Sequence, residues 1–241
     1  MKALILAAGL GSRLAPLTDT LPKALVKVNG MPILFRQIEC LRQNGVSDIT
    51  VVCGYLADVL KSGVHAAFPD IHIIENTEYA ETNNMYSAYL ARGRFAGLPF
   101  VMMNADVFFD PSVIRTLLED KNENAVVVEI GRYLEESMKV ARSGDRLSRI
   151  SKQIPPGEAY GTSIDVYKFS AAGGKAFFDK CAEYIEGRKE RKLWSEVALN
   201  DIFSSTAFRA CPLAGRWLEI DNHEDLAQAQ ALFASPAGDA T

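Results

Sequence analysis

The apolar run Ala3-Leu4-Ile5-Leu6-Ala7-Ala8 breaks at Gly9-Leu10-Gly11-Ser12, then presents Arg13 and, past Leu14-Ala15-Pro16-Leu17-Thr18, Pro22-Lys23. Apolar residues in unbroken series predict a strand covered on both faces. Two glycines directly behind it let the backbone turn tightly and aim its N–H groups at one point. With an Arg and a Lys close by, the stretch reads as a cradle for a nucleoside triphosphate.

Two other phosphate loops do not fit. Nothing matches G-x-x-x-x-G-K-[ST], and Leu14 stands where the dinucleotide fingerprint needs its third glycine. The acidic ribose partner of that fingerprint, about 20 residues on, is missing as well.

Composition narrows the class. With 241 residues, 48% hydrophobic and 23% charged, the chain can bury a full core, and one domain with a small elaboration is expected. A formal net charge of -4 offers no basic surface to a nucleic-acid backbone, so nucleic acid is not an expected partner. Cys40, Cys53, Cys181 and Cys211 lie far apart without a C-x-x-C pair, and read as reduced core residues of a cytoplasmic protein. Lys2 before an apolar run resembles a signal peptide, but the run ends at Leu10 in Gly-Ser-Arg rather than a cleavage site. No stretch approaches the ~20 apolar residues of a membrane span, and no membrane partner is expected.

Further along, a helix is predicted from Pro32 to Asn44-Gly45, with strands at 49–53 and 71–74 around a helix at 57–67. Asn83-Asn84 opens a helix to residue 91, and Phe100 to Asn104 is another buried strand ending at Asp106. A helix from Pro111 and a strand at 125–129 complete an alternation that argues for a mostly parallel sheet with helices on both faces. Beyond Gly131 the rhythm changes: 138–141 and 147–151 flank Ser143-Gly144-Asp145, a hairpin signature. A strand at 160–169, helices at 172–187 and from 195, short strands at 208–212 and 217–220, and a helix at 225–233 follow. The closing stretch 234–241 reads as frayed.

The opening motif resembles that of the nucleotidyltransferases, the MobA-like and sugar-phosphate superfamily. Their pattern L-A-A-G-x-G-[ST]-R-[LM]-x-P-L-T, then P-K, is matched from Leu6 to Thr18 and at Pro22-Lys23. The resemblance implies a Rossmann-like GT-A fold, a three-layer α/β/α sandwich with a mostly parallel mixed sheet and a small antiparallel extension. It divides the chain into a nucleotide-binding half (1–130), an acceptor-binding part (131–220) and a closing helix and tail (221–241). By the same resemblance, Leu6, Ala7, Ala8, Gly9, Gly11 and Ser12 bind the nucleotide, Arg13 and Lys23 are catalytic, and Asp106 and Asp221 hold Mg²⁺. Two carboxylates from distant strand ends suit such a cation; a capping or turn role is the alternative for each.

Within the superfamily, the likeness is strongest to choline-phosphate and 2-aminoethylphosphonate cytidylyltransferases. Asn83-Asn84-Met85-Tyr86-Ser87 is similar to their N-N-x-Y-S segment, placing Asn83, Asn84 and Ser87 at the base, where an amide can tell cytosine from uracil. Helix capping is the competing reading of the asparagines. On the acceptor side, no tryptophan stands near Glu136-Ser137-Met138 as an aromatic cage wall would require. Lys139 instead looks like the basic residue that related enzymes direct at the acceptor's phosphoryl group. Trp194 and Glu196 match acceptor-binding positions, able together to hold an ammonium, with core packing and surface exposure as their alternatives. Tyr160 joins them, and Arg132, Asp165 and Tyr167 border the pocket. His65, His72 and His223 show no ligand-like spacing.

The resemblance implies that CTP and a small phosphorylated or phosphonate acceptor react by direct displacement, releasing pyrophosphate. A sugar-1-phosphate uridylyl- or guanylyltransferase and a non-catalytic nucleotide binder are the alternatives, and a homodimer stays open.

Overall fold

The computed structural model describes residues 1–234, so the closing stretch beyond Ala234 lies outside the described residues. In chain order the elements are β1 (Lys2–Ala7), the short pair β2 (Lys27–Val28) and β3 (Met31–Pro32), α1 (Ile33–Gln43), β4 (Asp48–Cys53), α2 (Ala57–Ala67), β5 (His72–Glu75), α3 (Asn84–Leu90) and α4 (Arg92–Phe95). Then come β6 (Phe100–Asn104), β7 (Val107–Phe109), α5 (Pro111–Glu119), β8 (Ala125–Ile130), β9 (Lys139–Ser143), β10 (Arg146–Ser151) and β11 (Gly161–Phe169). Helices α6 (Ala171–Ala182) and α7 (Ser195–Ile202), strands β12 (Arg209–Pro212) and β13 (Trp217–Glu219), and α8 (His223–Leu232) complete the chain.

A nine-stranded mixed sheet carries the fold, in the order β10-β9-β11-β6-β1-β4-β5, with β8 on β11 and β12 on β8. Strands β1, β4, β5 and β6 are parallel, whereas β11 runs antiparallel to β6 and β8. The hairpin expected around Gly144 is the β9–β10 pair. Side chains alternate across β1, so Ala3, Ile5 and Ala7 join α1, α2 and α5 in one core while Leu4 and Leu6 join α3, α6 and α7 in the other. Those two cores are the reason for three layers. The second holds a run of ring contacts through Phe95, Phe100, Phe169, Phe177 and Phe178, and Phe100→Ala there would cost about 3–5 kcal/mol.

Three features escaped the sequence reading. The stretch between Ser12 and Leu25 is folded into three short 3₁₀ turns. Glu183–Gly187, taken as the end of a regular helix, is a π-helical turn. The short strand β7, for which no separate pattern was evident, pairs antiparallel with β13 as a two-stranded ribbon off the main sheet. A third apolar cluster, with Leu14, Ile33, Phe108, Ile220 and Leu226, packs the loop against this ribbon and α8. Leu14 is fully buried there, so the residue that breaks the dinucleotide fingerprint is the loop's anchor. Among the described residues, no helix is long and apolar enough to cross a membrane.

Candidate active site

Behind β1 the backbone of Gly11 is left-handed, with φ of +64°, and a Cβ there would meet Lys23 Cβ at 2.7 Å. Glycine is therefore required twice over, by conformation and by the close approach of the Lys23 stem. Thr18 Oγ1 donates to Gly11 O at 2.9 Å and ties the loop's ends. Ala7, Gly9, Gly11, Ser12 and Lys23 line one pocket, which opens into a larger cleft of about 250 Å³ at Leu6, Gly9, Arg13, Asp106 and Asp221.

The β7–β13 ribbon explains how residues 115 positions apart in the chain (221 minus 106) meet. Glu219 pairs with Val107, and Ile220 N donates to Asp106 O at 2.8 Å, so both acidic strand ends arrive together. At the ribbon's far end Asp110 accepts from Arg36 and Arg216. Asp106, Glu219 and Asp221 offer carboxylate oxygens that lie within 4.8 Å of one another. Asp106 Oδ1 is buried without a hydrogen-bond partner, a costly state that a hard cation would relieve. The donor set fits a divalent metal. Glu219 was missed in the sequence, although its spacing of two from Asp221 in an extended segment is the signal that puts both on one side. Helix capping falls elsewhere: Asn222 and Asp225 form a capping box for α8.

Cations are already gathered around this trio. Lys23 Nζ lies 3.0 Å from Asp106 Oδ2 and 2.6 Å from Asp221 Oδ1, and Arg13 Nη2 lies 2.7 Å from Asp221 Oδ2. Burial pulls the Lys23 pKa down, but Asp106 and Asp221 outweigh it and hold the ammonium above its ordinary value. Burial likewise favours the neutral form of Asp221, yet Lys23 and Arg13 keep its carboxyl below the usual range. Glu219, buried beside Asp106 and Asp221, is pushed up to about 7.

On the base side, Asn83 Oδ1 accepts from Asn84 N, so Asn83 caps α3 as well as lining the cleft. Asn84 also lines the cleft, with its Nδ2 donating to Asn104 Oδ1 at 3.3 Å and its Oδ1 accepting from Ser195 N at 2.8 Å. Ser87 lines the cleft and accepts from the buried Asn76 amide. Tyr79 and Thr82, not singled out in the sequence, border the same space.

On the acceptor side the structure separates the expected residues. Trp194 and Glu196 line the cleft, Trp194 exposed at 45% and Glu196 buried at 3%. Lys139 and Tyr160 do not line it. Lys139 is fully buried, its ammonium donates to Glu135 O at 2.6 Å beneath the Tyr133 ring, and burial together with Lys152 depresses its pKa. Tyr160 lies against the Arg142 guanidinium. Arg132 pairs with Glu129 and borders a neighbouring groove. Lys152, overlooked because it follows the hairpin strand in an unpatterned turn, is the lysine that reaches the cleft, with its ammonium 5.4 Å from the Trp194 ring centre.

A bulge in β11 between Ser163 and Tyr167 carries Asp165 at φ of +57° into the cleft wall. Asp165 Oδ2 accepts from Asn104 at 3.0 Å, and the buried Tyr167 hydroxyl lies 2.8 Å from Asp165 Oδ1 and 2.9 Å from Glu196 Oε1. One hydroxyl carries one proton, so it can donate to only one of the two carboxylates at a time. Burial, reinforced by neighbouring carboxylates, raises Asp165 well above the carboxylate range, and burial raises Glu196. This pair has no ion-pair partner among the described residues.

A family model for the MobA-like NTP transferase domain matches residues 3–197, most of the chain. The chain belongs to the MobA-like NTP transferase family. Family relatives include the choline-phosphate cytidylyltransferase of Streptococcus pneumoniae, 46% identical over 99 residues, 40% of this chain. The 2-aminoethylphosphonate cytidylyltransferase of Lancefieldella rimae is 47% identical over 89 residues, 37% of this chain. The matches span 41% and 36% of those proteins' lengths, less than two thirds of either. The CTP:phosphoglutamine cytidylyltransferase of Campylobacter jejuni is 26% identical across 94% of this chain and 98% of its own. Among solved structures, the CTP:phosphocholine cytidylyltransferase of S. pneumoniae superposes with a TM-score of 0.77 at 24% identity, over 96% of this chain and 98% of that one. The inositol-1-phosphate CTP transferase of T. maritima gives 0.80 at 19% over 98% and 97%, a likeness of fold. The three-layer architecture is thus one shared with solved nucleotidyltransferases.

Proposed function

We propose that this chain is a Mg²⁺-dependent cytidylyltransferase that joins CTP to a small phosphate or phosphonate bearing an ammonium group. The observation that carries the reading is the acidic trio Asp106, Glu219 and Asp221, with the orphaned Asp106 Oδ1, set directly against the phosphate loop and its two cations. An oxygen of the acceptor's phosphoryl or phosphonyl group attacks the α-phosphorus of CTP. The bond from that phosphorus to the oxygen bridging the β-phosphorus breaks, and pyrophosphate leaves with the electron pair. An ionised acceptor oxygen needs no general base, so orientation and charge neutralisation supply the catalysis. Loop N–H groups from Gly9 to Ser12 hold the triphosphate. Arg13 turns from Asp221 to grip the β- and γ-phosphates, and Lys23 turns from its carboxylates to the α-phosphate. Asp106, Glu219 and Asp221 would hold Mg²⁺, which would supply Lewis-acid neutralisation of phosphate charge.

Lys152 is the residue placed to meet the acceptor's phosphoryl group, and the Asp165–Glu196 pair with Trp194 the residues placed to meet its ammonium. The names of the relatives support cytosine as the base, and Asn83, Ser87 and Thr82 are polar groups at hand to read it. Four buried free thiols accord with a reducing, cytoplasmic setting.

The test is pyrophosphate release with each of CTP, UTP, GTP and ATP against phosphocholine, 2-aminoethylphosphonate, polyol phosphates and sugar 1-phosphates. Release should be greatest for CTP with an ammonium-bearing acceptor. UTP or GTP with a sugar phosphate exceeding every CTP combination would establish the sugar-nucleotide alternative, and no release with any pair would leave a nucleotide binder.

A further inference from the structure

The turn that carries Asp106 leaves β6 at Asn104 and enters β7 at Val107, and it is held from the helix beneath it. Gln37 is on α1, wholly inside the protein at 0% exposure. Its Nε2 donates to Asn104 O and to Val107 O, each at 2.8 Å, so one amide clamps both ends of the turn. Its neighbour Arg36 continues the clamp, donating from Nε to Phe109 O at 2.8 Å and from Nη2 to Asp110 at 3.2 Å.

The orientation of the Gln37 amide is forced. Turned over, Oε1 would face two carbonyl oxygens that have no proton to share. In the orientation observed, Oε1 has no hydrogen-bond partner and is buried. An unpartnered buried amide oxygen destabilises the folded state, and a leucine or methionine could fill the same core volume without it. A residue that only packs α1 against the sheet would not need an amide. What this amide provides and an apolar side chain does not is a fixed separation between Asn104 O and Val107 O, with Ala105 and Asp106 held between them. The turn's remaining backbone bonds, Ala105 N to Leu6 O at 2.9 Å and Ile220 N to Asp106 O at 2.8 Å, tie it to β1 and to the end of β13. Gln37 therefore completes a frame joining the strand behind the phosphate loop, the metal-facing aspartate and the ribbon that delivers Glu219 and Asp221.

We infer that Gln37 is a positioning residue that sets Asp106 against Glu219 and Asp221 for a divalent cation, acting through the Asn104–Val107 turn. The inference rests on the acidic trio being a metal site, and Mn²⁺ binding to the full chain tests both separately. Electron paramagnetic resonance of free Mn²⁺ gives the affinity, and thermal melting of the metal-free protein gives the stability. Asp106→Asn serves as the variant that removes a ligand, and Ile38→Val as a core change on the same helix that leaves the turn's donors intact. Gln37→Met should weaken Mn²⁺ binding by about tenfold or more, as loss of a group that orients a metal ligand does. Its melting temperature should fall by a few degrees, since Asn104 O and Val107 O lose their buried donor, whereas Ile38→Val, which also destabilises the core of α1, should keep the wild-type affinity. Gln37→Asn keeps an amide one methylene short of both carbonyls. It should show the same loss, and it decides the matter if Gln37→Met fails to fold. In turnover, both variants should need more Mg²⁺ for half-maximal rate while the KM for CTP at saturating metal holds. Wild-type Mn²⁺ affinity in Gln37→Met and Gln37→Asn, with Asp106→Asn impaired, would overturn the role of Gln37 and leave the metal site standing. An equal loss in Ile38→Val would show general softening of α1 and overturn it as well. No Mn²⁺ uptake by the wild type would remove the metal site and the inference with it.

Discussion

The two halves of the cleft are built on opposite terms. The half we read as binding the triphosphate comes from one continuous stretch behind β1, would work through backbone N–H groups, and has its cations already paired with Asp106 and Asp221. The acceptor half is assembled from separate segments: Lys152 after β10, Asp165 in the β11 bulge, and Trp194 with Glu196 at the start of α7. It would work through side chains alone, and its buried carboxylates have no ion-pair partner among the described residues. A backbone cradle tolerates few changes, because Gly11 is pinned by both its φ and the Lys23 stem. A side-chain pocket can be retuned one residue at a time. Substitutions in the first half should therefore damage every reaction alike, and those in the second should sort acceptors.

The largest effect is expected at Lys23. Lys23→Ala should lower kcat for pyrophosphate release by about 10²–10³-fold or more, as loss of a preorganised charge at the transition state does. The loss should be the same for every acceptor, and a loss confined to one acceptor would break the division between the halves. Arg13→Lys comes next: it replaces a planar fork with a point charge, a difference of about 1.5–3 kcal/mol for a charged hydrogen-bonding pair. That is on the order of tenfold to a hundredfold in kcat/KM for CTP.

Lys152→Ala should raise the KM for the acceptor by about tenfold, a charged hydrogen bond's share, and leave the KM for CTP in place. Lys139→Ala sharpens the contrast. It should spare both KM values and instead lower the melting temperature, because it leaves a void and strips Glu135 O of its buried donor at 2.6 Å.

The smallest effect is on stability against pH. Asp165 holds its proton more tightly folded than unfolded, through burial and the carboxylates of Glu196, Glu219 and Asp106. A raised folded pKa gives stability that is whole below the unfolded carboxylate value near 3.9 and is lost as pH climbs through the folded value. The metal-free protein should accordingly melt lower at pH 8 than at pH 5. In Asp165→Asn, with nothing left to ionise, the slope should flatten and the melting temperature at pH 8 should rise by a few degrees. A slope unchanged in Asp165→Asn would contradict the buried pair as its source.

The same contrast explains what could be read from the sequence. The cradle was legible because its needs are local: two glycines, Ser12, Arg13 and Lys23 act within one stretch, and the alternation of apolar strands and amphipathic helices gives the layers. Asp106 and Asp221 were legible as strand-end carboxylates. Glu219 was passed over because its partner strand β7 has only three residues. Lys139 was singled out and Lys152 passed over, since which of the two lysines reaches the cleft depends on how the β9–β10 pair packs on β11. Asn84 was read at the base and lines the cleft, and only the structure shows its amide also bonded to Asn104 and Ser195. Gln37 carried no signal at all, because a glutamine on an amphipathic helix is ordinarily solvated.

The central claim, attack by an acceptor oxygen on the α-phosphorus of CTP, is tested most directly with 2-aminoethylphosphonate carrying ¹⁸O on its phosphonyl oxygens, followed by ³¹P NMR. Direct displacement predicts ¹⁸O in the bridge between the two phosphorus atoms of the product and pyrophosphate free of label. An unlabelled bridge, or CMP and a phosphonyl diphosphate as the products, would contradict it.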